Sequence, residues 1–149
     1  MEGKARRDGM RAVYLTAAEL SKIGYIVCTT SRNAQGADLL ITDQQCSRAF
    51  SIQVKSNTYR NCKYFLIGKK GEDIISETHI YVLVNIIEPS KKNPIEIIAY
   101  YVVPSKVVNK KLVHDKGKTG KAEWWYVVIE DILPYKDKWE ILRKPESIG

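Results

Sequence analysis

At Gly24 the hydrophobic pattern of this chain changes period. Before it, Met10, Val13, Tyr14, Ala17 and Leu20 recur at i, i+3, i+4 and i+7, which predicts a helix over residues 8–23 with one apolar stripe. Gly24, free to adopt a left-handed conformation, ends it. After it, β-branched and aromatic residues cluster in short runs at 25–30, 37–42 and 49–56, separated by turn-forming Gly, Asn, Asp and Ser in 31–36 and 43–48. A short apolar piece at 64–67 leads into the basic loop Gly68-Lys69-Lys70-Gly71. Two strong strand patterns come next, at 80–87 and 95–103, and Pro89, Lys91, Lys92 and Pro94 mark the connection between them as a solvent-facing turn. Beyond Pro104-Ser105 the pattern predicts a short helix, a polar loop over 115–121 and a strand at 124–129. The spacing of Tyr135, Trp139 and Leu142 predicts a C-terminal helix. This order, one helix, three strands, more strands and then helices, predicts one mixed α/β sheet with helices against it. Residues 1–149 are expected to form a single domain, since domains run to roughly 100–200 residues.

Composition narrows the partners. Twenty-four Lys and Arg against 17 Asp and Glu leave a net charge of +7, which favours polyanionic partners. The longest apolar run, 97–103, is far short of the roughly 18 residues of a membrane span. With no apolar signal core near the start, the chain is expected to be cytoplasmic and to have no membrane partner. Cys28, Cys46 and Cys62 lie far apart and the histidines are His79 and His114, so no paired zinc ligands exist and the thiols read as buried and reduced.

The chemistry concentrates in the third strand. In residues 49–56, Phe50, Ile52 and Val54 alternate with Ser51, Gln53 and Lys55, so Gln53 and Lys55 share the face turned from the core. If Thr42 pairs with Ala49 across the 43–48 turn, the same antiparallel register sets Asp38 opposite Gln53. A carboxylate, an amide oxygen and an ammonium then converge. Asp38 and the Gln53 oxygen are hard ligands suited to Mg²⁺ (or Mn²⁺), which polarises a phosphate and acidifies a water. Lys55 is placed to neutralise charge developing on the phosphate.

With the helix, the 25–30 strand, Gly36-Ala37-Asp38 and Ile52-Gln53-Val54-Lys55-Ser56 in this order, residues 10–57 resemble the PD-(D/E)xK nuclease superfamily. The Gln-Val-Lys-Ser version is most similar to its small group I intron homing endonucleases, and more distantly to archaeal Holliday-junction resolvases. The resemblance implies a restriction-endonuclease-like mixed β-sheet flanked by helices. It implies a metal-dependent DNA endonuclease of homing, restriction, junction-resolving or repair type, with Asp38, Gln53 and the Val54 backbone carbonyl on the metal and Lys55 as the catalytic lysine. One such patch per chain implies a homodimer or homotetramer where both strands are cut. The family's helix glutamate is replaced by Val13, and Glu19, six residues on, is the candidate substitute. No clear helix is predicted between Lys55 and the 80–87 strand, where the family has one. Val13 and Gln53 also suit an alternative, a catalytically inactive module on the same fold that binds nucleic acid or a protein partner.

Arg6, Arg7 and Arg11, Lys69 and Lys70, Lys91 and Lys92, and Lys110 and Lys111 are candidate phosphate contacts. Arg32 and Asn33, just before Asp38, and Ser56, just after Lys55, are expected to touch substrate. Gly117-Lys118-Thr119-Gly120-Lys121 lacks the spacing of a phosphate loop and reads as a basic loop. Trp124, Trp125, Tyr126 and Trp139 fit core packing or a subunit interface, and also base stacking.

Overall fold

The computed structural model describes residues 2–31 and 34–143. In chain order they form α1 (Glu2–Lys22), β1 (Ile26–Thr29), β2 (Leu39–Thr42), β3 (Ala49–Asn57), β4 (Tyr64–Leu66), α2 (Lys70–Asp73), β5 (His79–Ile87), β6 (Ile97–Pro104), α3 (Ser105–Lys111), β7 (Val113–Lys116), β8 (Glu123–Val128) and α4 (Ile129–Ile132). Among the described residues no helix is long and apolar enough to cross a membrane.

α1 starts six residues before the apolar stripe predicts. Its polar first turns are held by Lys4, which pairs within the helix with Asp8 at 3.2 Å and outside it with Glu88 at 2.8 Å, and by Arg11, which grips Glu96 through two hydrogen bonds. It ends as expected. Gly24 has φ +100°, its N–H donates to the Ser21 carbonyl, and the Tyr25 N–H donates to that of Leu20, the bond pattern that closes a helix on a left-handed glycine.

The main sheet is mixed, in the order β1-β2-β3-β5-β6. All its pairings are antiparallel except that of β3 with β5, which runs parallel from Ser51 beside His79 to Asn57 beside Asn85. β5 is buried from His79 to Ile86. Its Ile80, Val82, Val84 and Ile86 join Ala12, Val13 and Leu20 of α1 in one core, with Phe50, Ile52 and Val54 of β3. Tyr81 and Leu83, on the other face, join a second core with Phe65, Val103, Val108 and Val127.

That second core exists because of a second sheet, β4-β8-β7, which the sequence does not announce. A parallel β3–β5 pair needs a crossover, and here the crossover carries β4 and the single turn α2 in place of a full helix. β4 finds its partner in β8, some sixty positions on, so local patterning gives no sign of the pairing. β7 takes up the start of the expected polar loop, and Gly117–Gly120 closes its hairpin to β8. The expected C-terminal helix is instead two 3-10 turns, Leu133–Tyr135 and Trp139–Leu142. Pro134 lies in the first, and Asp137, between them, has φ +53°, which no continuous helix accommodates. Cys28 and Cys46 are exposed, not buried, and only Cys62 is partly covered.

His79 sits where β3 and β5 begin to pair. Its Nδ1 lies 2.6 Å from the Ser51 hydroxyl, while its Nε2 is buried without a hydrogen-bond partner among the described residues. Burial holds the imidazole below the ordinary histidine value of 6.5. The unfolded chain therefore takes up this proton first, and the stability His79 contributes is complete above pH 6.5 and lost as pH falls through its folded value. Urea melts between about pH 7.5 and pH 5 will show stability declining toward acid, with a shallower decline in His79→Gln. Equal slopes in the two proteins would remove His79 as the cause.

Candidate active site at the end of β2

The alternation in β3 holds. Phe50, Ile52 and Val54 are 3%, 0% and 7% exposed beneath α1, and Ser51, Gln53 and Lys55 are half-buried on the other face. The hairpin register also holds from Thr42 opposite Ala49 to Leu39 opposite Ile52. At Asp38 it slips. The Asp38 N–H donates to the Ile52 carbonyl at 2.8 Å, so Asp38 and Leu39 both face Ile52, in the manner of a bulge. The preceding loop makes room for this: Gly36 has φ +93°, and a Cβ there would lie 2.7 Å from the Ile74 side chain. Thr30 fastens the other side, donating its N–H to the Asp38 carbonyl at 3.0 Å and its hydroxyl to that of Ala37 at 2.7 Å.

The slip sets the carboxylate against β3. Asp38 Oδ2 accepts from the Val54 N–H at 2.8 Å and from Gln53 Nε2 at 2.9 Å. β2 has ended by this point, so the Val54 N–H has no strand partner on that side and takes the carboxylate instead. Gln53 Nε2 also lies 3.4 Å from the Val54 carbonyl. With acceptors on both sides, the amide must present its nitrogen here and its oxygen elsewhere. The expected orientation, with the Gln53 oxygen beside Asp38, is reversed.

This arrangement bears on whether the residues fit a divalent cation. The amide NH₂ sits between a carboxylate oxygen and a backbone carbonyl, doing with a partial positive charge what a cation does with a full one. A half-turn of the amide would add its oxygen to the same pair. One carboxylate with neutral oxygens suits Mg²⁺, which keeps several waters and draws further oxygens from phosphate. Among the described residues, no three His, Cys, Asp or Glu side chains gather around a common point, so an ion here depends on that mixed oxygen set.

Asp38, Gln53, Val54 and Lys55 line a cleft of about 1060 Å³. Arg6, Arg7, Met10, Arg11, Val13 and Tyr14 of α1 and residues 29–31 also line it. Met10 and Tyr14 belong to the expected apolar stripe, yet they are 38% and 61% exposed; the buried face of α1 is Ala12, Val13, Thr16 and Leu20. The i, i+4, i+8 spacing of Arg6, Met10 and Tyr14 is the sequence signal of this lining. Arg6 and Arg7 pair with no described carboxylate, whereas the charge of Arg11 is taken up by Glu96. Asp38 and Lys55 form no ion pair with each other, so a plain surface salt bridge does not account for the two.

The remaining candidates lie elsewhere. Val13 lines the cleft, but Glu19 does not: it is half-buried near Tyr100, whose phenol is pushed up by burial and then by the Glu19 charge. Ser56 is half-buried one residue past the cleft wall, and Lys69 and Lys70 are exposed where α2 begins, away from the cleft lining. Arg32 and Asn33 fall outside the described residues, although Ser31 and Ala34 beside them line the cleft.

No protein-family model matches this sequence, and no curated protein matches it.

Because Asp38 satisfies a backbone N–H and an amide at once, its removal has a structural effect separable from chemistry. Asp38→Ala is expected to lower stability by about 1–3 kcal/mol, and Asp38→Asn, which keeps an oxygen acceptor, by less. Denaturant titration of the two variants checks the order, and equal stabilities would show that water replaces the carboxylate fully.

Proposed function

We propose that the chain is a metal-dependent DNA endonuclease of PD-(D/E)xK type on a restriction-endonuclease-like fold. The observation that carries this reading is the contact of Asp38 with Gln53 and the Val54 N–H at the end of β2, in a cleft that Lys55 and two arginines share. The order of α1, the antiparallel β1–β2–β3 set and a β5 parallel to β3 supports it further.

Asp38, the Val54 carbonyl and the turned Gln53 amide would hold Mg²⁺ or Mn²⁺. Bound there, the ion polarises the scissile phosphate and acidifies the attacking water. Lys55, with no carboxylate partner at the site, offsets the negative charge that grows on the phosphate. Arg6 and Arg7 hold the flanking backbone from α1, by contacts that position a duplex without reading its sequence. With one such site per chain, cutting both strands calls for a homodimer or homotetramer.

A second reading, a catalytically silent nucleic-acid-binding module, draws on Val13 and on the Gln53 amide, which already answers Asp38 without an ion. Supercoiled plasmid separates the two. The wild-type chain is expected to nick it with Mg²⁺ or Mn²⁺ and not in EDTA, and Lys55→Ala to lose at least about a hundredfold in rate with DNA affinity nearly kept. Binding without nicking under every metal condition would favour the silent module. Gln53→Glu adds a second carboxylate beside Asp38, so its melting temperature should fall in EDTA and recover with Mg²⁺ more than that of wild type does. A Mg²⁺ response no larger than wild type would place the ion elsewhere.

A further inference from the structure

The second sheet turns one face to the second core and the other to solvent. By register, Tyr64, Leu66, Trp124, Tyr126, Val128, Val113 and Asp115 share the outer face. Tyr64, Leu66 and Trp124 are 40%, 52% and 43% exposed, and Tyr59, just beyond the end of β3, is 57% exposed. The rings form a row. Tyr59 and Tyr64 have centroids 6.4 Å apart and are tilted by 47°, Tyr64 and Tyr126 lie 5.5 Å apart and are tilted by 58°, and Trp124 follows on the same strand and face, its Cα about 7 Å from that of Tyr126.

Both ends of the row are built into the fold. At one end Asn57, the last residue of β3, donates to the Tyr64 carbonyl at 3.3 Å, and its oxygen accepts from the Tyr59 N–H and from Asn85. Asn85 also donates to the Tyr59 carbonyl at 3.0 Å. Tyr59 is four residues from Lys55, so its Cα lies within about 14 Å of the lysine that lines the cleft. At the other end the Trp124 ring lies against Gly117, in the turn that carries exposed Lys118 and Lys121.

We infer that this aromatic row is a stacking platform for an unpaired nucleic-acid strand, continuous with the cleft. The exposed ring faces select the occupant. Bases in a duplex are stacked about 3.4 Å apart with their faces covered, so only an unpaired strand with its bases splayed can lay a base face on these exposed rings. Charge agrees: Lys118 and Lys121 stand at one end of the row and Lys55 within about 14 Å of the other, Asp115 is the one carboxylate the strand register puts on this face, and two copies of a +7 chain would bring like rims together. The inference deepens the nuclease reading and rests on it for the duplex in the cleft; together they make the substrate a junction of duplex and single strand. Strand binding itself requires no cleavage.

Fluorescence anisotropy of labelled oligothymidylate, read in EDTA, tests the platform alone. Tyr64→Ala and Trp124→Ala should each weaken binding about tenfold, and Tyr64→Phe and Trp124→Phe should restore it, because an aromatic ring and not a hydroxyl or indole is what stacks. Quenching of wild-type tryptophan emission by the same oligonucleotide, reduced in Trp124→Phe, is the check that needs no truncated side chain. Unchanged affinity in the alanine variants, or no quenching, overturns the platform. So does sedimentation showing a wild-type oligomer that Tyr64→Ala dissociates, since the face would then belong to a second copy. Platform binding with no nicking of any substrate would leave the inference standing and overturn the nuclease reading instead.

Discussion

A strand buried on both faces governs this structure. β5 places eight consecutive residues, His79 to Ile86, out of solvent, and such a strand is stable only with a layer on each side. α1 provides one layer, over Ile80, Val82, Val84 and Ile86. The other must come from the chain between β3 and β5 and from the residues beyond β6, which is where β4, β8 and α3 are found. The second sheet is thus the cover that β5 requires. Beyond His79 at its start, Asn85 is the polar residue in the buried run, and Asn57 and the Tyr59 carbonyl satisfy it. A misregistered β3–β5 pair would bury that amide unpaired, at about 1–3 kcal/mol, so the asparagines also fix which residues of the two strands lie side by side.

The cleft arises from a mismatch of strand lengths. β3 runs nine residues and β2 only four, so the backbone of β3 beyond Ile52 is unpaired on the β2 side. Had β2 continued in register, its backbone would have taken up the Val54 N–H. Because it stops, a carboxylate from the chain leading into it takes that place, and the side chain beside it is Gln53. The polar residues are therefore gathered by the end of a hydrogen-bond ladder, and the hydrophobic alternation of β3 decides which side of the sheet each one faces.

Period and punctuation made much of this legible in the sequence. The helix stop at Gly24, the β2–β3 register and the two faces of β3 all depend on residues within a few positions of one another. What stayed hidden depends on distant partners. Tyr64 to Leu66 is too short to read as a strand until β8 pairs with it. Met10 and Tyr14 fit a helical stripe as well as Ala12 and Thr16 do, and only the sheet beneath shows which side is covered. The one-residue slip at Asp38 and the reversed Gln53 amide arise from where β2 ends, a boundary that composition does not mark. Tyr135, Trp139 and Leu142 show the reverse error, an accidental helical spacing across a segment that Pro134 and Asp137 break.

In the nuclease reading, the charge balance of the cleft also implies an order of events. Among the described residues that line it, Asp38 is the one carboxylate, set against Lys55, Arg6 and Arg7 and against Arg11, whose charge Glu96 takes up. A cation approaching the cleft ahead of DNA meets three positive charges and a carboxylate already occupied by two N–H donors, so its affinity there is low. A phosphate entering first answers those positive charges and brings anionic oxygens of its own. The field at Asp38 would then favour a divalent ion instead of opposing it, and the Gln53 amide would have reason to turn its oxygen inward. On that reading a single carboxylate would suffice, because DNA would supply the other anionic ligands, and metal and substrate would bind as a pair.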